Sequence, residues 1–522
     1  MNSMIKIGLP LKLKWVSVLF SKITTTTPTH MGDAWGPKLR RRRVLFPLPL
    51  PKCSIPEAKG PDMDFINVAY SNLIHAHWDF LSQIASTLTP FRVSHVLLKT
   101  HRDHVLARQF FNWAGQQSGF IHSIETHCLM FHILTRANKF KAAEAIMRRV
   151  IAPKVGNPGP EIFQTLVNTY RLCDSTPRVF DVLFMIYAHS NKLRNARDVF
   201  CWMKSYGILP TTETCNAYCS SLLKRNRHDI VCHFYGEMLL SGISPNVYTL
   251  NMVIHAFCKT GKLQKAGDVF WRMEELGCSP NVVSMNAMID GYCKIGLVTA
   301  ALKLMREMSV KGLVPDIITY NALIHGLCKE EKVHDANKLF YEMQRMGLSP
   351  NTVTYNILIN AYGDQNDIEM TLRLHEEMIQ KGVQLNVVTY NALIRSLCKG
   401  GKTRKANYFL KEMTAKKFEA NASTFYALID GHCRRKNIEQ AFQLYKIMVK
   451  KGFTPHAIIF KALITGLCED GDLQVGIKTL EEMVSRALVP DAEIFYALIQ
   501  GLWKSGKIKD TIKFPVELQT EV

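Results

Sequence analysis

One residue spacing constrains this chain more than any other feature. Asn216, Asn251, Asn286, Asn321, Asn356 and Asn391 stand 35 residues apart. The same interval relates Met203, Met238, Met273, Met308, Met343, Met378, Met413, Met448 and Met483, and also Cys258, Cys293, Cys328, Cys398, Cys433 and Cys468. A length of 522 residues would otherwise suggest several globular domains. Three residue types sharing one period point instead to an array of small units.

Residues 282–316 show what one unit does. Met285, Met288, Ile289, Tyr292 and Cys293 recur at the spacing of an amphipathic helix. Gly296 suits the end of that helix. Ala301, Leu304, Met305 and Met308 form a second stripe, which Gly312 and Pro315 terminate because proline cannot continue a helix. Such a hairpin is too small to bury both stripes alone, so neighbours must stack on it. The ladder methionines and cysteines lie on these apolar stripes and read as core packing.

The pattern predicts an all-α fold, a solenoid of 35-residue helix-hairpin repeats. The array is placed at 177–522, with units starting at 177, 212, 247, 282, 317, 352, 387, 422 and 457 and a truncated one at 492–522. Residues 88–176 are expected to hold irregular N-terminal helices. These comprise one or two capping helices within Leu88–Gly119, a hairpin over Ile124–Val150 and a lone helix over Pro160–Cys173. The Pro-rich stretch from Phe46 leads into an expected linker over 46–87.

The formal charge is +21, which suits a polyanionic partner. Residues 1–30 contain no acid, and lysines alternate there with Ser/Thr and short apolar stretches. That composition predicts an organelle-targeting presequence over 1–45, mitochondrial in its basic amphipathic stretch and plastid as the alternative. No apolar run is long enough to span a membrane. The 14 cysteines include no Cys-x2-Cys pair, which speaks against a zinc site and for reduced, buried thiols.

The segment Ile317–Lys329 reads Ile-Ile-Thr-Tyr-Asn-Ala-Leu-Ile-His-Gly-Leu-Cys-Lys, and Val387 begins Val-Val-Thr-Tyr-Asn-Ala-Leu-Ile. With the Gly-x-x-Pro-Asn/Asp endings, these units closely resemble the plant organellar pentatricopeptide repeat family, in its form without a C-terminal editing or nuclease extension. The resemblance implies a right-handed superhelix that binds single-stranded organellar RNA, one repeat per nucleotide, 5′ to 3′ from the N-terminus. Bases would be read by the fifth and last residues of each unit. The pairs are Asn216/Asn246, Asn251/Asn281, Asn286/Asp316, Asn321/Asn351, Asn356/Asn386 and Asn391/Asn421. In the family's code Asn with Asp favours U, and Asn with Asn favours pyrimidines, C somewhat over U. The six units therefore imply a pyrimidine tract. The outer pairs Asp181/Thr211, Tyr426/His456 and Lys461/Asp491 match no well-determined combination.

The resemblance makes the second residues, Tyr248, Val283, Ile318, Val353 and Val388, wedges against base faces. Position thirteen holds Lys224, Lys259, Lys294, Lys329, Lys399 and Arg434, interrupted by Asp364. These suit phosphate contacts, and equally suit the negative end of a helix dipole. Near the same helix starts, Thr249, Ser284, Thr319, Thr354 and Thr389 are suited to capping. His375-Glu376-Glu377 lacks the second histidine of a zinc protease and reads as surface or packing. No catalysis and no cofactor are expected, and the chain is expected to be a monomer. The competing reading is a protein-interaction scaffold, or an adaptor that recruits a separate RNA-processing enzyme.

Overall fold

The computed structural model describes residues 56–152 and 159–504. The expected presequence at 1–45 and the end of the last unit, 505–522, lie outside the described residues. Among the described residues there are 26 α-helices, one short 3-10 turn and no strands. Each unit from 177 to 491 forms two antiparallel helices, A and B. In the unit at 282 these are Val282–Lys294 and Val298–Val310.

Backbone chemistry sets the turns. The residue two places before each B helix takes positive φ: Gly261 (73°), Gly296 (77°) and Gly401 (69°), but also Glu331 (62°) and Lys436 (58°). Glycine adopts this left-handed conformation without steric cost, whereas the other residues do not. All nine ladder methionines are fully buried on the B helices or at their ends. The recurring cysteines are buried or nearly so on the A helices, as free thiols, and burial pushes the Cys293 and Cys398 thiols up to about 12.

Consecutive A helices pack directly on one another along the array, while each B helix packs on its own A helix and the next one. Small residues let the A helices approach. A Cβ built on Gly326 would stand 2.6 Å from Cys293 Sγ, and one on Gly291 would stand 2.6 Å from Cys258 Sγ. The A helices thus form a continuous layer, with residues two, nine and thirteen of each unit from 177 to 491 exposed or half-buried along one face and the fifth residues set deeper, buried or half-buried, among them.

Upstream, Pro90–Lys99 and His104–Ala114 occupy the capping region, Ile124–Arg136 and Phe140–Ile151 form the hairpin, and Gly159–Thr169 is the lone helix. His132 ties this irregular part together. Its ring nitrogens lie 3.2 Å from the Leu166 carbonyl oxygen, 3.1 Å from Thr169 Oγ1 and 2.7 Å from Ser175 Oγ.

The expected linker at 46–87 needs correction. Pro61–Ile74 and Trp78–Gln83 are helices, and Ala85–Thr87 is the 3-10 turn. Pro61 opens the first of them instead of breaking the chain, since a first-turn residue needs no N–H partner. Phe65, Ile66, Ala69 and Leu73 are buried, and that helix packs on Pro90–Lys99. Arg92 Nε lies 2.6 Å from Asp62 Oδ1, with its guanidinium 4.9 Å above the Phe65 ring.

Candidate nucleic-acid interface

The last residue of each unit caps the A helix of the next. Asn246 Oδ1 accepts from the backbone N–H of Thr249, and the Thr249 hydroxyl accepts in return from the Asn246 N–H. The same reciprocal box occurs at Asn281, Asp316, Asn351, Asn386 and Asn421. The cap is therefore residue 35, and the Thr or Ser at position three completes the box from inside the helix.

The fifth residue joins the same network. Asn216 Nδ2 donates to Asn246 Oδ1 at 3.1 Å, and Asn216 Oδ1 accepts from Thr249 Oγ1 at 2.7 Å. Asn251 does the same with Asn281 (3.1 Å) and Ser284 (2.6 Å), and Asn286 with Asp316 (2.9 Å) and Thr319 (2.6 Å). Asn321 and Asn391 repeat it with Asn351 and Thr354, and with Asn421 and Thr424. In the unit at 352, Asn356 reaches Asn386 at 3.3 Å, but its own buried Oδ1 has no partner.

This arrangement orients the amides. A backbone N–H is a donor only, so the atom that it meets on each cap must be oxygen. The other terminal atom then faces away from the helix. Among the described residues no hydrogen bond uses Nδ2 of Asn246, Asn281, Asn351, Asn386 or Asn421, or Oδ2 of Asp316. Five caps therefore present a free donor and one presents a free acceptor.

The structure brings the predicted residues together. An open cavity of about 410 Å³ is lined by Asn216, Ser220 and Lys224 of one A helix, by Asn246 and Tyr248 of the next junction, and by His189. Positions two, five, thirteen and thirty-five thus share one recess. The second residues stand clear of the core: Tyr248 is 56% exposed, Val283 59%, Ile318 64% and Val353 and Val388 both 55%. Ile458 occupies the same position with 57% exposure, and the period alone would have placed it there.

The position-thirteen cations, already interrupted by Asp364 in the sequence, are further divided by ion pairs. Lys294 is paired with Asp290 on its own helix, Arg434 with Asp430 at 3.0 Å, and Lys399 with Asp364 of the preceding unit at 2.7 Å. Arg395, one turn before Lys399, was not singled out by sequence. Its Nη2 lies 2.7 Å from Asn360 Oδ1 and 3.7 Å from Asp364. Among the described residues Lys224, Lys259 and Lys329 have no carboxylate within ion-pair distance.

The outer units differ. Asp181 Oδ1 accepts from the Thr211 N–H at 2.9 Å and from Thr214 Oγ1 at 3.0 Å, so it takes the place of the fifth-position Asn. Burial raises its carboxyl pKa. In the unit at 457 the fifth and last residues form an ion pair, Lys461–Asp491 at 3.0 Å. His456 caps its helix without a side-chain hydrogen bond. His375 is buried with its ring edge-on to Phe409 at 5.2 Å, in a packing role. Among the described residues no group of three or more His, Cys, Asp or Glu is placed to hold a metal ion, and no helix is long and apolar enough to cross a membrane.

Among known proteins, a mitochondrial pentatricopeptide repeat-containing protein of Arabidopsis thaliana is 48% identical over 214 residues, which is 41% of this chain and 41% of that protein. A second mitochondrial pentatricopeptide repeat-containing protein of Arabidopsis thaliana is 30% identical over 199 residues, 37% of this chain and 30% of that one. The matched stretches thus span less than half the length of either relative. The crystal structure of the pentatricopeptide repeat protein PPR10 from maize aligns with a TM-score of 0.48 at 17% identity, covering 84% of this chain and 75% of that one. PPR10 in complex with an 18-nt psaJ RNA element aligns with a TM-score of 0.44 at 16% identity, covering 89% and 85%. The PPR repeat family matches residues 210–259, 280–329, 315–364, 350–399, 385–434 and 421–461, the pentatricopeptide repeat domain matches 235–294, and a further PPR repeat matches 458–488. These matches together run over more than half of the 522 residues, and the chain belongs to the pentatricopeptide repeat family.

Proposed function

We propose that this protein binds single-stranded RNA in an organelle and selects a pyrimidine-rich tract through the units from 212 to 421. One observation carries the reading: six successive junctions hold an Asn at position five against a capping Asn or Asp whose remaining polar atom is unused. Unpaired bases present donors and acceptors on their Watson–Crick edges, and a protein reads them in single strands. A free amide nitrogen suits the N3 acceptor of cytosine, and the free Asp316 oxygen suits the N3–H of uracil. The exposed side chains at position two supply apolar surface for base faces, Tyr248 by stacking and the aliphatic ones as wedges. The net charge of +21 favours a polyanion.

The mitochondrial names of the relatives and the basic, acid-free leader support a mitochondrial site of action. There the protein would act without catalysis of its own, by occluding or remodelling a transcript segment in splicing, processing, stabilisation or translation. The test is a salt titration of binding to a pyrimidine-rich single strand and to a purine strand of equal length. Tight, salt-weakened binding to the first and much weaker binding to the second is expected. Equal, salt-insensitive binding to both would refute the reading.

A further inference from the structure

The groove cations divide along the chain. Lys224, Lys259 and Lys329 have no carboxylate within ion-pair distance among the described residues, and Lys294 shares its charge with Asp290. Among the described side chains, every groove cation from residue 360 onward is held by an acid: Arg395 and Lys399 by Asp364, Arg434 by Asp430, and Lys461 by Asp491 and Glu493. Two of these acids come from the helix or unit next to the cation, so the stacking itself builds the pairs.

Lys259 and Lys294 add a second observation. The two ammonium groups, on adjacent A helices, are close enough that Lys294 is the first cause of a lowered Lys259 pKa, ahead of burial. His255 and His325 flank them, held toward the neutral form first by burial and next by Lys259 and Lys329 respectively. Asp290 already offsets part of this repulsion through its pair with Lys294, and a phosphate of the RNA backbone beside Lys259 would offset the rest.

We infer that the groove is electrostatically two-ended: Lys224, Lys259 and Lys329 grip the phosphates over units 212–351, while from unit 352 onward the cations are committed to the protein's own acids and bases are read with little phosphate grip. Asp364 is the residue that sets the boundary, because it occupies two cations of the following unit at once. This inference rests on the RNA reading given above.

The experiment uses the full chain and a labelled pyrimidine single strand, with affinity measured between about 50 and 200 mM salt. K224A, K259A and K329A are each expected to weaken binding several-fold and to reduce the slope of log K against log salt by roughly 0.7, the value for one single-strand phosphate contact. K399A and R434A are expected to leave affinity and slope within error. D364N, which releases Arg395 and Lys399, is expected to tighten binding and steepen the slope. If K399A and R434A cost as much as K329A, or if D364N leaves binding unchanged or weaker, the two-ended groove is wrong while RNA binding stands. If the parent protein shows no salt-dependent RNA binding, both fall together.

Discussion

Ser396 packs against Gly363 across the seam between two units, the reverse of the arrangement between Cys293 and Gly326. In the common case the earlier unit supplies the thiol and the later unit supplies the glycine. Between the units at 352 and 387 the sizes are exchanged, and a Cβ on Gly363 would stand 2.7 Å from Ser396 Cβ. The spacing of the A helices therefore depends on the summed volume at the seam, which is conserved when either partner is the small one.

That complementarity predicts the cost of breaking it. Gly326→Ala would put a Cβ 2.6 Å from Cys293 Sγ and 2.7 Å from Cys293 Cβ. Overpacking of this kind costs about 1–3 kcal/mol, and the better helix propensity of alanine returns roughly 1 kcal/mol. A net loss on the order of 1 kcal/mol is expected in the urea midpoint, with partial recovery when Cys293→Gly is added. A single variant as stable as the parent would show that the seam can relax freely.

The hydroxyl at position three serves two units. Thr319 completes the Asp316 cap and donates to Asn286 of the preceding unit. Thr319→Val should cost about 1 kcal/mol of stability through the lost cap and hydrogen bonds. It should also relax base preference at the position read by Asn286. Thr319→Ser should change neither, because Ser284 already does this work one unit earlier. Thermal melts and binding to single-base variants of the RNA separate the two effects.

Asp316 is the one cap of the six whose free atom is an acceptor. Asp316→Asn keeps the capping oxygen and exchanges the outward acceptor for a donor. The preference at that base should move from U toward C by roughly 2- to 12-fold, the equivalent of one net hydrogen bond of about 0.5–1.5 kcal/mol. Stability should be unchanged within a few tenths of a kcal/mol. An unaltered preference in a well-folded variant would mean that Asp316 does not face a base.

Acid should loosen the N-terminal region before the array. Burial lowers the His132 pKa to about 3 and that of His122 to about 4, from an ordinary 6.5. Both rings are neutral when folded, so the unfolded chain binds more protons as soon as the pH drops below 6.5. Stability is then fully present above 6.5 and falls toward the folded values, with a slope of up to about 1.4 kcal/mol per pH unit for the buried His132 and less for His122, which solvent partly screens. Hydrogen exchange of 124–169 as a function of pH measures this. Replacing His132 by Gln should remove one proton's share of the dependence.

The period, the hairpins and the buried ladders were legible in the sequence because each is a local pattern repeated with little variation. The network at each junction was legible in part. Positions two, five and thirty-five were singled out by resemblance as base contacts, and the structure places them side by side, but capping was assigned to Thr249 and its equivalents. The cap is one turn earlier, because the helix begins at residue one of the unit and not within it. The pairing of Lys399 with Asp364 could not be read, since the two are 35 residues apart and meet only when the A helices stack. Arg395 was missed for the same reason. The helix at Pro61–Ile74 was hidden by its opening proline, although Phe65, Ile66, Ala69 and Leu73 already formed a helical stripe.

The shared hydroxyl at position three has a consequence for how such an array is altered. A cap oxygen belongs to one repeat by sequence, the helix that it starts belongs to the next, and the hydroxyl from that helix holds the asparagine of the first. The folding frame and the reading frame are thus offset by three residues. A segment grafted at residue one of a unit separates Asn286 and Asp316 from Thr319, and it carries away the hydroxyl that positions the reader it leaves behind. A graft cut between positions three and four, after Thr319 for instance, transfers each reader together with everything that holds it.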